Sequence, residues 1–216
     1  MQAKRSARVY DAPRRRAAAE QRRGRILEAA RQLFGRHGYG ATSIERIARE
    51  ADVAVPTVYA IYRSKRALLF ALLDQADAQA DVAGLQRDLR STAGDARRQL
   101  HRLVTFTCRF FAQAADIVEI ARGAGSTNED LLALWREGEE RRLRGQAPLT
   151  RAWARAGALR KGLSARDALD ILWAMTGADH YRLFVAERNW SPDRYETWLR
   201  ETLERLLLRS SRSEHP

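Results

Sequence analysis

Apolar residues return at intervals of three and four along most of this chain, in segments punctuated by glycine, proline and small polar residues. That rhythm predicts an all-α protein. Ile26, Leu27, Ala30, Leu33 and Phe34 fall on one face of a first helix spanning roughly 14–36, and Gly38 is placed to end it. Thr42 precedes the next apolar run and Glu45 follows three residues later, the spacing of a capping box. On the helix so started, Ile44, Ile47 and Ala48 face inward, while Glu45, Arg46, Arg49 and Glu50 face outward. Asp52 and Val53 then make a turn. Pro56 sits in the first turn of a second short helix, where its missing amide costs nothing, and Val58 with Tyr62 locks that helix onto the first. Ser64 caps a third helix that opens on Lys65.

Two short helices, a tight turn and a following helix are the layout of a helix-turn-helix DNA reader. Geometry sets Thr42, Arg46, Tyr59, Tyr62 and Lys65 to contact phosphate, which positions the reader without specifying sequence. Core packing is an equal expectation for Tyr62. Thr57 can hydrogen-bond a base edge, whereas Val55, Pro56 and Ala60 offer only apolar contact suited to thymine methyl groups. So thin a hydrogen-bonding vocabulary predicts specificity that leans on apolar contacts and DNA shape.

The stretch GRILEAARQLFGRHGYGATSIERIAREADVAVPTVYAIYRSKRALL, Gly24 to Leu69, closely resembles the amino-terminal domain of the TetR family of bacterial transcriptional repressors. The resemblance is carried by Leu33-Phe34, Gly38-Tyr39, Thr42, Ile47-Ala48, Val53, Thr57, Tyr59 and Ser64-Lys65. It implies a small DNA-binding domain joined to a larger helical ligand-binding and dimerising domain, with Thr42, Tyr59 and Lys65 on phosphate. Members often carry Ser, Lys or Gly in the turn and His before the last aromatic. This chain has Ala54, Val55, Pro56 and Ala60 there.

Beyond Lys65 the pattern predicts one long helix reaching Leu89, ended by Ser91, Thr92 and Gly94, that links reader to body. Later breaks are expected near 123–127, 145–148, 157, 162–164 and 189–192. Ser164 with Asp167, and Ser191 with Pro192, mark two helix starts. In the helix expected over 165–187, Leu169, Leu172, Trp173, Thr176, Leu183 and Phe184 form one stripe, and Ile171, Ala174, Ala178, Tyr181 and Val185 another. A helix apolar on two sides needs two packing partners. The last helix carries Tyr195, Trp198, Leu199, Leu203, Leu206 and Leu207. A four-helix homodimer interface follows, built from Leu172, Thr176, Phe184, Tyr195, Trp198, Leu199, Leu203 and Leu206. Two readers then sit one helical turn of DNA apart on a palindromic operator. A ligand pocket in the body would be lined by aromatics with a few polar groups, and Phe110, Trp135, Trp153, Trp173, Thr176 and His180 are the candidates, beside Phe106, Met175 and Tyr181.

Charge sharpens the picture. The formal net charge is +12 over 216 residues. Residues 1–25 hold nine basic and two acidic side chains, +7, and residues 26–68 hold seven and four, +3. A gradient that peaks around a helix-turn-helix is the footprint of a DNA binder. Residues 1–13 are expected to be a disordered basic tail, able to add phosphate or minor-groove contacts. An Arg-rich targeting peptide is the other reading, disfavoured because the basic run continues straight into the first helix. Residues 14–68 then form the DNA-binding domain, 69–210 the ligand-binding and dimerisation domain, and 211–216 a tail.

No segment approaches a membrane span or reads as a secretory leader, and Cys108 stands alone, so a cytoplasmic location is expected. Among Phe106, Phe110 and Phe111, Cys108 reads as a small buried hydrophobe rather than a redox sensor. His37, His101, His180 and His215 show no metal-ligand spacing, so no metal or other cofactor is expected. The chain does not read as an enzyme: it has no Walker loop and no nucleophile elbow, and GAGSTN at 123–128 has Asn where a dinucleotide fingerprint needs its third Gly. An architectural, sequence-indifferent DNA protein accounts for the charge but not for the capped reader or the aromatic body. The expected mechanism is a homodimeric repressor released from its operator when a small, largely apolar ligand enters the body.

Overall fold

The first helix forms because Ile26, Ala29, Ala30, Leu33 and Phe34 bury one stripe, and its regularity fails where Gly38 adopts a positive φ of 78°. The structure is a computed structural model describing residues 12–125 and 129–210. It divides into two compact units, 1–71 and 72–216. Residues 1–11 of the expected tail at 1–13, the expected tail at 211–216 and residues 126–127 of the expected break at 123–127 lie outside the described residues.

In the first unit, α1 (Ala12–Ala41) is followed by α2 (Ile44–Glu50), α3 (Val55–Tyr62) and the start of α4 (Lys65–Gln79). Helix α1 begins at Ala12, two residues before its expected start at 14 and so inside the expected tail. Ile44, Ile47 and Ala48 of α2 and Val58 of α3 are buried, with Leu68 and Leu69 completing the small core.

In the second unit α4 ends, α5 (Val82–Ser91) and α6 (Ala96–Gly125) follow, and α7 (Glu129–Arg155) packs on α6 and α8 (Ala165–Met175). A single turn, α9 (Ala178–Tyr181), runs into a π-helical stretch, Arg182–Glu187, and α10 (Pro192–Leu207) returns against α6 and α8. Among the described residues the only strand-like pairing is an antiparallel bridge between Leu159 and Leu208. No helix of the described residues is long and apolar enough to cross a membrane.

Three departures from the periodicity have local causes. The helix expected from Lys65 to Leu89 breaks at Asp81, which adopts a left-handed φ of 54° and accepts a hydrogen bond from the Gly84 amide at 2.9 Å, capping α5. The break expected at 145–148 is absent: α7 runs through Pro148 because Gln146, Leu149, Thr150 and Trp153 are buried on either side of it. The helix expected over 165–187 is interrupted at Thr176, whose hydroxyl donates to the Leu172 carbonyl at 2.7 Å and competes with the regular ladder. Ser164 and Ser191 cap α8 and α10 as their spacing predicted.

Burial corrects the dimer expectation. Leu172, Thr176, Tyr195, Leu199 and Leu203 are each 0 % exposed in the single chain, so they fill the protomer's core and present no surface to a second copy. Phe184, Trp198 and Leu206 stay half-buried, and Leu183 is 42 % exposed. Cys108 lies in the same core, where burial pushes its thiol up to about 12 and keeps it protonated at neutral pH.

Candidate nucleic-acid interface

The reader is assembled from side-chain caps and a few buried contacts. Ser43, not Thr42, caps α2: its hydroxyl oxygen accepts from the Arg46 amide at 3.3 Å, from extended backbone (φ −103°, ψ 160°). Thr42 is 1 % exposed, with its hydroxyl within reach of the Leu33 and Gly38 carbonyls at 3.1 and 2.9 Å. The hydroxyl thus ties the end of α1 to the start of α2, and the expected phosphate contact of this side chain is corrected to a structural one. Backbone and cap hydrogen bonds hold Glu45 below its ordinary value in the first turn of α2.

Asp52 turns the chain with a φ of 52°, a conformation Asp tolerates better than most residues. Ala54 precedes α3 in extended backbone, and Pro56 occupies its first turn. Buried Val58 anchors α3. Pro56 and Ala60 are exposed, Val55 and Thr57 half-buried, and Tyr59 is 46 % exposed. These five residues belong to one short helix. On α2, Arg46 and Arg49 are exposed.

Tyr62 donates its hydroxyl to the Arg23 carbonyl of α1 at 3.3 Å, joining the end of α3 to the first helix. Partial burial raises its hydroxyl above the ordinary tyrosine value. Lys65 is also used internally. Its ammonium donates to the carbonyls of Tyr39, Gly40 and Thr42 at 2.8, 3.3 and 2.9 Å and lies 4.4 Å from the centre of the Tyr39 ring. Those carbonyls lie at the end of α1, where a cation offsets the negative end of the helix. The expected phosphate contact of Lys65 is likewise corrected. Lys65→Met keeps the aliphatic stem but strands three carbonyls, and is expected to destabilise the amino-terminal unit by about 1–3 kcal/mol in urea unfolding. A stability equal to wild type, with DNA affinity lost, would return Lys65 to phosphate.

Beside Lys65 an open hollow of about 390 Å³ is lined by Gly40, Ser43, Tyr59, Arg63, Ser64 and Lys65, among others. Ser64 caps α4 through the Ala67 amide at 3.1 Å. The exposed Arg63 guanidinium and the Tyr59 hydroxyl supply donors suited to a phosphate. Ser43 and Arg63 were not legible as site residues. Thr42 with Glu45 imitated a capping box one residue early, and Arg63 owes its place to a left-handed φ of 61° that no spacing announces.

In the second unit the expected pocket residues separate. Trp153 is 2 % exposed and donates its indole N–H to Gln99 Oε1 at 2.7 Å, so it belongs to the core rather than to a pocket wall. Phe110 packs edge-on against Phe111 at 5.3 Å, and Trp135 is half-buried on α7. Trp173 and Thr176 come together: the Arg142 guanidinium lies 5.0 Å from the Trp173 ring and donates to the Thr176 hydroxyl at 3.2 Å, and Gln146 donates to the same hydroxyl at 2.9 Å. Trp173 Nε1 and His180 Nδ1 are buried with no hydrogen-bond partner among the described residues. Arg142 and Gln146 were missed because their segment reads as polar surface. Their shared helical face with Glu139, at spacings of three and seven, was the available signal. No cluster of three or more His, Cys, Asp or Glu among the described residues is arranged to hold a metal ion.

A capped helix-turn-helix on an arginine-rich first helix, followed by a helical body, defines the class of helix-turn-helix DNA-binding proteins. A family model described as bacterial regulatory proteins of the tetR family matches residues 26–72. The uncharacterized HTH-type transcriptional regulator YvkB of Bacillus subtilis is 32 % identical over 97 residues, 45 % of this chain and 49 % of its own. The HTH-type transcriptional regulator HbdR of Aromatoleum sp. is 30 % identical over 122 residues, 56 % of this chain and 53 % of its own. The chain thus spans about half the length of the curated relatives it matches. A crystal structure of NalD, the secondary repressor of the MexAB-OprM multidrug efflux pump in Pseudomonas aeruginosa, is similar over 90 % of this chain and 99 % of NalD, with a TM-score of 0.71 and 26 % identity. Residues 26–72 are thus similar to the amino-terminal domain of the tetR family of bacterial regulatory proteins, and the described fold is similar to that of NalD. That family and these relatives are regulators of transcription, not enzymes.

Proposed function

We propose that this protein is a cytoplasmic, homodimeric repressor that binds a palindromic operator and leaves it when a small, largely apolar ligand enters the body. The carrying observation is the outer edge of α3, where Pro56, Tyr59 and Ala60 are exposed and Val55 and Thr57 half-buried, on a helix anchored by buried Val58. Arg46 and Arg63 beside it are suited to phosphates, and Tyr59 is the tyrosine of the pair with a half-exposed ring. The likeness to NalD, a repressor by its description, supports repression.

The dimer rests on the apolar residues that one protomer leaves incompletely covered: Leu183, Phe184, Trp190, Trp198 and Leu206. The ligand reading rests on the buried ring nitrogens of Trp173 and His180, which have no hydrogen-bond partner among the described residues, and on the Arg142 guanidinium over the Trp173 ring. Ligand control requires a ligand that favours the DNA-incompetent shape. Sedimentation of the purified protein with an operator duplex tests the stoichiometry. Two protomers per palindrome are expected, and one protomer bound with full affinity to a half-site would overturn the dimeric reading.

Because α3 presents few hydrogen-bonding side chains, Val55→Lys is expected to shift sequence preference toward guanine at the contacted position. A binding selection checks this. An unchanged preference would remove Val55 from the base-reading edge.

A further inference from the structure

Helix α1 carries a surface that its supporting role does not use. Every side chain from Arg15 to Arg25 is exposed, and Ile26, at 0 %, is the first buried one. This segment has no large apolar residue. Its alanines, arginines, glutamine and glutamate favour helix by propensity, without burying anything. At 3.6 residues per turn, Arg15, Arg16, Arg22 and Arg23 share the face that buries Ile26, Ala30, Leu33 and Phe34 further along. Glu20 falls at the edge of that stripe and, like Arg23, acts on the Tyr62 hydroxyl, so the stripe is predominantly basic.

One end of the stripe is fixed beside the reader. The Tyr62 hydroxyl, at the end of α3, bonds the Arg23 carbonyl at 3.3 Å, and the Arg23 charge acts on that hydroxyl. From Arg22 and Arg23 the stripe runs along α1 for roughly 10 Å to Arg15 and Arg16, at 1.5 Å per residue.

We infer that this stripe is a second DNA contact, a helical rail for backbone phosphates beside the groove that α3 reads. The inference rests on the DNA-reading assignment of α2 and α3. A helix is about 10–12 Å wide with its side chains and the minor groove only about 6 Å wide, so α1 cannot enter that groove to read bases. The contact is therefore with phosphates, for which the guanidinium fork is well shaped. The two arginine pairs, two turns apart on an exposed helix, repel one another, and a polyanion relieves that repulsion.

The test compares full-length wild type with Arg22→Gln/Arg23→Gln, measuring affinity against salt on a selected operator and on bulk duplex. Glutamine keeps helix propensity, and its backbone still accepts from Tyr62. The magnitude of the salt slope is expected to fall by about 0.9 for each phosphate that is no longer neutralised, on both duplexes, with sequence preference unchanged. Arg15→Gln/Arg16→Gln, ahead of the first buried residue and so without bearing on folding, is expected to lower it likewise, whereas Arg25→Gln, outside the stripe, leaves it unaltered. Slopes equal to wild type in both double variants would make the stripe a solvated face, and a changed sequence preference would make it a base reader; either overturns the inference. Failure of the wild type to prefer any sequence would instead count against the proposed function, while the slope on bulk duplex still decides the role of the stripe.

Discussion

Leu206→Glu is expected to convert the protein from dimer to monomer and to lower operator affinity by about 10²- to 10⁴-fold, the advantage that linking two half-site readers confers. The physical cause is local. Leu206 lies near the end of α10, half-buried in the single chain, two turns beyond Trp198 on the same helix. A carboxylate at that position remains hydrated in the monomer and loses its water only when a second copy covers it, so the cost falls on association. Leu203 and Leu207, fully buried neighbours, keep the fold. Sedimentation equilibrium gives the oligomeric state, and fluorescence anisotropy with a labelled palindrome gives the affinity. A variant that remains dimeric at micromolar concentration would move the interface away from α10.

Trp153→Ala is expected to destabilise the carboxy-terminal unit by about 3–5 kcal/mol, the range for removing a large aromatic from a core. Its indole fills space on α7 and also satisfies Gln99 Oε1, while Gln99 Nε2 donates to the Leu89 carbonyl at 2.8 Å, so one glutamine ties α5, α6 and α7 together. Removal leaves a buried acceptor unpaired, at about 1–3 kcal/mol within that total. Trp153→Phe keeps most of the volume but not the N–H, and is expected to lose roughly the hydrogen-bond share alone. Urea unfolding of the three proteins separates these contributions. Near-native stability of Trp153→Ala, with altered response to a ligand, would return Trp153 to the pocket wall where its aromatic character first placed it.

The helices of the reader were legible because each carries a chemical mark at its ends: Gly38 at a positive φ, a proline in the first turn of α3, a serine before α4. What periodicity could not reveal is which of two adjacent polar residues takes a role. Thr42 and Ser43 can both cap a helix, and the choice is made by Leu33 and Gly38, whose carbonyls claim the threonine hydroxyl. Lys65 is similar. Its place beside the reader fits phosphate contact, and only the three carbonyls around its ammonium reveal a structural use.

In the body, a stripe of leucines states that a helix packs but not against what. Leu199 and Leu206 belong to the same apolar pattern, yet the first is fully buried and the second stays at the surface. Pro148 and Thr176 exchanged their expected parts. The proline was accommodated within a helix held by buried neighbours, and the break fell at a threonine that bonds its own helix.

A selection of bound duplexes from a random library by the purified full-length protein, repeated across salt, tests the central claim most directly. Recovery of a palindrome with half-sites about 34 Å, or one turn, apart is the expected result for a dimeric reader using α3. Recovery of no motif, with binding that simply fades as salt rises, would contradict it and leave a protein that holds DNA by charge alone.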